Sequence, residues 1–494
     1  MKMLGRLTLN RTDASSMQTQ LSGQLKRMSQ AGELHAGERL PSTRELAKDL
    51  LISRNTVVAA YEMLVGEGYL ETELRSGFRV NQATQAFQQL PVRASAARER
   101  PSAARSPLMP VPFRPTQPDV SLFPLPIWNR HRTRVLKRGD SLLHYQSRFP
   151  VGLDELRRNV ADYLRDSRGV RCQWHEVAIT NGSQHALFLL AHLLLRPGQR
   201  VYMEDPGYPG ARNAWDNAGA EVVPTPVDEE GIRLPAEDPL NAALIYVTPS
   251  HQFPLGTCMS LARRLSLLQA ARKAGAWIVE DDYDAEFRYT SAPQPSLQSL
   301  DDQRRVIYIG SFSKTHFPAL RIGYVVLPPP LVEPFAALKS IADDYSPLID
   351  QATLSAFLES GSLYAHLRRC RRHYAERQAL FLDLGARHRL PLSFPVTGRG
   401  MNLAGMLPRN TDDRELSLRL QAVGLDIPPL SRYAVKQFKP GLLFGLAAFG
   451  KAEIERSVSR MARVFGSKLP ELKLSELKLS GSKLPGSTST KART

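Results

Sequence analysis

Between residues 119 and 466 the chain alternates short apolar runs with longer stretches of helical periodicity, and this alternation narrows its fold more than any other feature. Seven runs read as strands: 177–180, 200–204, 221–225, 243–248, 276–280, 306–310 and 322–327. Strands separated by helices are joined by crossovers, which builds a mostly parallel sheet with helices against it, an α/β architecture. Open sheets of this kind take ligands at the carboxyl ends of their strands. The residues that follow each run are therefore where chemistry is expected.

The 306–310 run breaks at Gly310 into Ser311-Phe312-Ser313-Lys314. A lysine that loses solvent at a strand end titrates lower and becomes a nucleophilic amine able to form a Schiff base with an aldehyde. Ser311, Ser313 and Arg321 are hydrogen-bond donors spaced to hold a phosphate beside it. An aldehyde that carries a phosphate suggests pyridoxal 5'-phosphate. Surface loops also contain serine and lysine, so this stretch alone leaves that plain alternative open.

Three further segments point the same way. Thr180-Asn181-Gly182-Ser183-Gln184 leaves a strand and opens the helical run 186–195. A helix start with Gly and Ser offers free N–H groups to an anion, which makes Gly182, Ser183 and Gln184 a second set of phosphate contacts. The turn Asp205-Pro206-Gly207-Tyr208-Pro209-Gly210 sets the Tyr208 ring to stack on a flat heterocycle, with plain packing as the alternative. Glu280-Asp281-Asp282-Tyr283-Asp284 drives a buried strand into an acidic cluster. A carboxylate keeps a pyridine nitrogen protonated so that the ring can draw electrons. Asp281, at the strand end, takes that role and Tyr283 donates to the ring hydroxyl oxygen, while Asp282 and Asp284 make structural contacts.

The first 81 residues have a different pattern. Leu21, Leu25 and Met28 repeat at helical spacing. Ser42 and Glu45 have capping-box spacing, and Ser53 caps a third helical run with Val57, Ala60, Tyr61 and Leu64 inward. Residues 69–80 alternate around Ser76-Gly77, which reads as a hairpin. Helix, helix, turn, helix and hairpin is the winged helix-turn-helix order, whose last helix enters the major groove of duplex DNA by its N-terminal residues. Ser53, Arg54, Asn55 and Thr56 would face the DNA, Arg44 a phosphate, and Arg75 and Arg79 the backbone or minor groove. The alternative is a small helical dimerisation module with solvated arginines.

A length of 494 residues calls for at least two domains, and a formal charge of +17 suits a polyanionic partner. The first 81 residues nevertheless carry 11 Lys/Arg against 9 Asp/Glu, a net of +2, so the DNA reading rests on the motif. Residues 82–118, rich in Ala, Arg, Gln, Ser and Pro, read as a flexible linker, and 467–494 as a disordered low-complexity tail. Cys172, Cys258 and Cys370 are too few and too scattered for a disulfide framework. Cys370 and His373 lack a second ligand pair, so no metal site is expected. No leader is read in Met1-Lys2-Met3-Leu4-Gly5-Arg6 and no apolar run spans a bilayer, so the cytoplasm is the expected compartment and no membrane is involved.

Leu40-Pro41-Ser42-Thr43-Arg44-Glu45-Leu46-Ala47 and Ser53-Arg54-Asn55-Thr56-Val57 resemble the GntR-type winged-helix signature, with Val58 where much of that family has arginine. From about Leu143 to Phe465 the chain resembles fold type I enzymes of the aspartate aminotransferase kind. The match is carried by Asp205-Pro206-Gly207-Tyr208-Pro209-Gly210, Thr248-Pro249-Ser250-His251-Gln252-Phe253-Pro254, Glu280-Asp281-Asp282-Tyr283-Asp284-Ala285-Glu286-Phe287 and Ser311-Phe312-Ser313-Lys314. Together the parts resemble the MocR/GabR subfamily of transcription regulators. The resemblance implies a winged helix-turn-helix (1–81), a linker (82–118) and an aminotransferase-like domain (119–466) with a mostly parallel sheet and a small α+β subdomain. It implies that Lys314 bonds pyridoxal phosphate, Asp281 pairs with the ring nitrogen, and Ser311, Ser313 and Arg321 hold phosphate. It further implies a homodimer in which Tyr145 reaches the neighbouring phosphate, and Arg432 as the effector's carboxylate ligand. The chain departs from the enzymes at Phe253, where they commonly place asparagine, and at 441–449, which contains no arginine. The expected function is regulation of transcription by an amine, an amino acid or pyridoxal phosphate itself; a working aminotransferase with an appended DNA module is the rival.

Overall fold

The computed structural model describes residues 7–13, 15–73, 77–83, 111–138, 142–144, 149–236, 239–289, 294–436 and 438–466. The chain divides into two compact units, 1–106 and 107–494.

In the first unit, helices α1 (Met17–Gln30), α2 (Thr43–Asp49) and α3 (Arg54–Gly66) precede a hairpin of β1 (Leu70–Glu73) and β2 (Gly77–Val80). Each helix begins where a serine satisfies a backbone donor: Ser16, Ser42 and Ser53 accept from the N–H groups of Thr19, Glu45 and Thr56. At α2 the exchange is reciprocal, since the Glu45 carboxylate accepts from the Ser42 N–H. Leu21, Leu25, Leu46, Val57, Tyr61 and Val80 close one core. The Tyr61 hydroxyl donates to the Pro41 carbonyl at 3.1 Å and its ring meets Phe78 edge-on at 4.9 Å, so one side chain ties the hairpin to the turn before α2. This is the winged helix-turn-helix that the caps and periodicities predict.

The second unit is built on β3 (Val177–Thr180), β4 (Arg200–Asp205), β5 (Glu221–Asp228), β6 (Gly231–Ile232), β7 (Leu244–Val247), β8 (Trp277–Asp282), β9 (Val306–Ser311) and β10 (Gly323–Val326). They lie in the order β3-β10-β9-β8-β7-β4-β5-β6. The strands β9, β8, β7, β4 and β5 are mutually parallel. β10 runs antiparallel to both β3 and β9, and β6 antiparallel to β5. Helices cover both faces, which is why the strands read as continuous apolar runs. Ile179, Tyr308 and Tyr324 enter one core, and Ala178, Ile309 and Val325, one residue along, enter the other. A smaller antiparallel pair, β11 (Asn402–Met406) and β12 (Gly441–Gly445), packs with the helices Asp413–Ala422 and Lys451–Gly466 through Leu403, Leu420, Phe444, Ile454 and Met461. This pair and its helices are the small α+β subdomain. Among the described residues no helix is long and apolar enough to cross a membrane.

The boundary at 118/119 needs correction. Residues 111–118 pack as part of the second unit. Phe113 is fully buried among Phe381, Phe444 and Phe449, at ring-centroid distances of 5.4, 6.0 and 6.5 Å. The Gly445 N–H donates to the Phe113 carbonyl at 2.8 Å and the Asp426 N–H to the Pro112 carbonyl at 3.0 Å. Composition suggested a tether because one buried phenylalanine, the Arg114–Asp426 ion pair and a few bonds from the backbone hold this strap, and none of these produces a periodic pattern. Residues 84–110 and the tail at 467–494 lie outside the described residues.

Candidate functional site

The site lies at the carboxyl edge of the large sheet. Because β10 runs back against β9 and β3, Gly323 stands abreast of Ser311 on one side and of Thr180 on the other. The segments beyond β3 and β9 and the one before β10 therefore meet in one corner. Lys314 lies in the β9–β10 connection. Its Nζ donates to the Thr116 carbonyl of the strap at 2.8 Å. Burial lowers its pKa to about 8, against the opposing charges of Asp284 and Asp281. An amine so placed is nucleophilic near neutral pH.

Asp281 is the last but one residue of β8 and is buried. Its Oδ2 accepts from the Tyr246 hydroxyl at 2.7 Å, while its Oδ1 has no partner. Burial pushes its pKa up to about 7. A buried carboxylate oxygen without a donor costs free energy unless a ligand supplies one. Asp282 and Asp284 make structural contacts: Asp282 pairs with Arg168 at 2.7 Å and accepts from Tyr308 at 2.6 Å, and Asp284 faces His251.

Arg321 adopts a left-handed backbone (φ 52) and donates to the Asn181 carbonyl at 2.8 Å. Its guanidinium lies across the start of the helix Ser183–Leu194, since a Cβ on Gly182 would fall 3.1 Å from it. Gly182 itself has φ 88, a conformation that favours glycine. Ser311 Oγ accepts from the Ser313 N–H at 3.1 Å, and the buried Ser313 Oγ has no partner. A phosphate would satisfy these donors together. The Gln184 side chain donates to the Gly210 carbonyl at 2.9 Å and accepts from the Tyr208 hydroxyl at 3.3 Å. Its side-chain amide is committed to fixing the Tyr208 turn, and the contact expected at the helix start is through its main-chain N–H.

Tyr208 packs edge-on to Phe253 at 5.7 Å, and Phe253 in turn meets Tyr283 at 5.9 Å and Tyr433 at 5.1 Å. Arg432 is exposed, on the one-turn helix Leu430–Tyr433 that docks on this turn through the Gly207 N–H to Tyr433 carbonyl bond at 3.0 Å. Tyr145 and Arg75 lie outside the described residues. Sequence reasoning missed Thr116, Tyr246 and His251. Position 251 stood in a quoted motif without a role, whereas Thr116 contributes only a backbone carbonyl and gave no signal.

In the first unit Arg44, Arg54 and Asn55 are exposed at the starts of α2 and α3. The Ser53 and Thr56 hydroxyls bond to one another at 2.8 Å within the cap, and Arg54 Nε donates to Thr43 Oγ1 at 3.4 Å. Arg79 pairs with Glu73 across the hairpin at 3.1 Å.

Fold and site define an aminotransferase-type α/β unit carried behind a winged helix. Comparison with known proteins agrees. Residues 130–423 match the family described as aminotransferase class I and II, and 17–80 match the bacterial regulatory proteins of the gntR family. The chain is 38% identical over 482 residues to a probable rhizopine catabolism regulatory protein MocR of Rhizobium meliloti, covering 93% of this chain and 96% of that protein. It is 32% identical to the pyridoxine biosynthesis transcriptional regulator PdxR of Corynebacterium glutamicum, over 86% of this chain and 91% of that one. Among solved structures, an α-aminoadipate aminotransferase, LysN of Thermus thermophilus, superposes with a TM-score of 0.65 at 29% identity, over 72% of this chain and 92% of its own. The chain belongs to the MocR/GabR subfamily of GntR-type transcription regulators. It is a helix-turn-helix regulator whose large unit has the class I and II aminotransferase fold.

Proposed function

We propose that this regulator binds pyridoxal phosphate covalently through Lys314, binds promoter DNA through α2 and α3, and changes its DNA affinity when an amine or amino acid reaches the coenzyme. The observation that carries the proposal is the unpartnered Asp281 Oδ1, buried at the strand edge that also carries Lys314 and the donors around Arg321. Asp281 would hold the ring nitrogen protonated and Tyr208 would cover the ring face. The Gly182, Ser183 and Gln184 N–H groups, Ser311, Ser313 and Arg321 would bind the phosphate, and Tyr283 would donate to the ring oxygen. Burial leaves a useful share of Lys314 unprotonated near neutral pH, ready to attack an aldehyde. When bound, the coenzyme supplies an aldehyde carbon on which an incoming amine and Lys314 exchange. We assign Arg432 to the effector's carboxylate and Tyr145 to the phosphate of a second copy in a homodimer, and place the protein in the cytoplasm. For exchange at Lys314 to switch transcription, the two states of the protein must differ in DNA affinity.

The test is a paired titration of the full chain loaded with pyridoxal phosphate against a panel of amines and amino acids, read by visible absorbance and by DNA gel shift. One compound is expected to move both. A chain that stays colourless, or that ignores DNA from its own upstream region, refutes the proposal. Sustained transamination at ordinary enzyme rates would favour the enzyme reading instead. The lack of arginine in 441–449, where the aspartate enzymes hold their substrate, argues against that outcome.

A further inference from the structure

His251 stands between Asp284 and Tyr283. Its Nδ1 lies 2.8 and 2.9 Å from the two Asp284 oxygens and 3.1 Å from the Tyr283 hydroxyl. Asp284 is buried and also accepts from the Met401 N–H at 3.2 Å. The imidazole sits in a slot that tolerates no side chain on either flank. A Cβ on Gly256 (φ 80) would fall 3.0 Å from Nε2, and a Cβ on Gly400 (φ 70) would overlap the ring. The Tyr283 ring lies within 29° of parallel to it, centroids 5.8 Å apart.

This arrangement fixes hydrogen positions. An ionised carboxylate only accepts, so the nitrogen facing both of its oxygens carries the hydrogen. With Nδ1 a donor, Tyr283 cannot donate to it. The phenol oxygen faces His251 as an acceptor and its hydrogen must point elsewhere. Burial and the Asp284 charge raise the Tyr283 pKa well above its ordinary value, so that hydrogen stays in place. Phe253 stands where the enzymes place an asparagine, which leaves Tyr283 as the side chain assigned to the coenzyme's ring oxygen.

We infer that His251, held by Asp284, is a positioning residue that sets Tyr283 as a hydrogen-bond donor aimed at the ring oxygen of the coenzyme. The inference rests on the coenzyme reading above. A donor at the ring oxygen draws electron density from the neighbouring lysine-bound nitrogen, so losing it raises the pH at which that nitrogen releases its proton. The midpoint is read from the visible band of the loaded full-length protein.

The experiment compares wild type, Tyr283→Phe, His251→Leu and His251→Asn. Tyr283→Phe is expected to raise the midpoint by about one pH unit, tenfold in proton affinity. His251→Leu should move it in the same direction by a comparable part and add little to Tyr283→Phe in the double variant. His251→Asn places an amide N–H where Nδ1–H stood and should remain near wild type. A purely structural role would lower the unfolding midpoint of both His251 variants without moving the titration. Should the leucine variant not fold, His251→Gln replaces it, its amide lying one bond too far out. A midpoint unmoved by His251→Leu or His251→Gln, or moved as far by His251→Asn, overturns the inference. A wild-type chain that takes up no coenzyme overturns the coenzyme reading itself, whereas a yellow wild type with an unmoved variant overturns only the role of His251.

Discussion

Replacing Asp281 with asparagine separates what the site does for a ligand from what it does to the fold. In the ligand-free protein the Asp281 carboxylate is fully buried, with one donor on Oδ2 and none on Oδ1. Moving its pKa from 3.8 to about 7 corresponds to about 4 kcal/mol at 1.36 kcal/mol per tenfold change in proton affinity. The folded state binds the proton more tightly than the unfolded chain does. This contribution is therefore full below pH 3.8 and is lost as pH rises toward the folded value of about 7. Between pH 5 and pH 8 the loss amounts to about 2.5 kcal/mol by linkage. Asparagine has the same shape and no charge, so Asp281→Asn escapes this loss. Glu280, also raised to about 7 by burial, cancels in the difference, whereas Glu204 is held up partly by the Asp281 charge, so asparagine eases its titration as well and widens the gap in the same direction. The four tryptophans, Trp128, Trp174, Trp215 and Trp277, all lie in the large unit, so denaturant unfolding followed by their fluorescence reports that unit alone. The ligand-free variant should gain on wild type by about 2.5 kcal/mol between pH 5 and pH 8. Pyridoxal phosphate should reverse the ranking at pH 8, because a protonated ring nitrogen against Asp281 relieves the cost in wild type only. A gap that is flat or narrows with pH would show that Asp281 is not held uncompensated, and the main support for the coenzyme site would go with it.

Lys314→Ala should abolish the visible band and the covalent mass increase on borohydride treatment while leaving the winged helix able to shift DNA. Gly182→Ala places a Cβ 3.1 Å from the Arg321 guanidinium at a backbone angle that favours glycine, and should weaken coenzyme uptake in an equilibrium titration more than it lowers the unfolding midpoint. Phe113→Ala should cost about 3–5 kcal/mol of large-unit stability by tryptophan fluorescence, as expected for an emptied aromatic core position. Arg54→Ala should weaken promoter binding by about 1–3 kcal/mol if it reads a base, or uniformly across sequences with a shallower salt dependence if it binds phosphate; unchanged affinity would show that α3 does not read the site.

How much of this was legible depends on what each element leaves in the sequence. Strands buried on both faces leave unbroken apolar runs, so β3, β4, β7, β8, β9 and β10 were visible, while the partly exposed β5 showed only as the shorter run 221–225. β6 has two residues and leaves no pattern. Caps leave spacing, and Ser42 with Glu45 marked the start of α2 before any geometry was known. The strap at 111–118 leaves almost nothing, because its hold on the unit is Phe113, the Arg114–Asp426 ion pair and bonds from its backbone, and its Thr116 carbonyl reaches Lys314 from 198 positions away. Long-range partners of this kind, His251 with Asp284 among them, belong to tertiary structure.

The direction of β10 was within reach of the sequence and explains the site best. A parallel return needs a crossover of a dozen or more residues, usually a helix. Between β9 and β10 there are only residues 312–322, and their one helical element is the single turn Pro318–Leu320. That connection can only turn back, so the strand after Lys314 must run antiparallel. The reversal puts Ser311 and Gly323 side by side and holds Lys314 and Arg321 in the same short loop at the same edge. Pairing of β10 with β3 then brings in Gly182 and the helix start beyond Thr180. A longer, helical connection would have carried Arg321 to the opposite edge of the sheet. An amine and the donors for a phosphate share one corner here because eleven residues are too few to cross over.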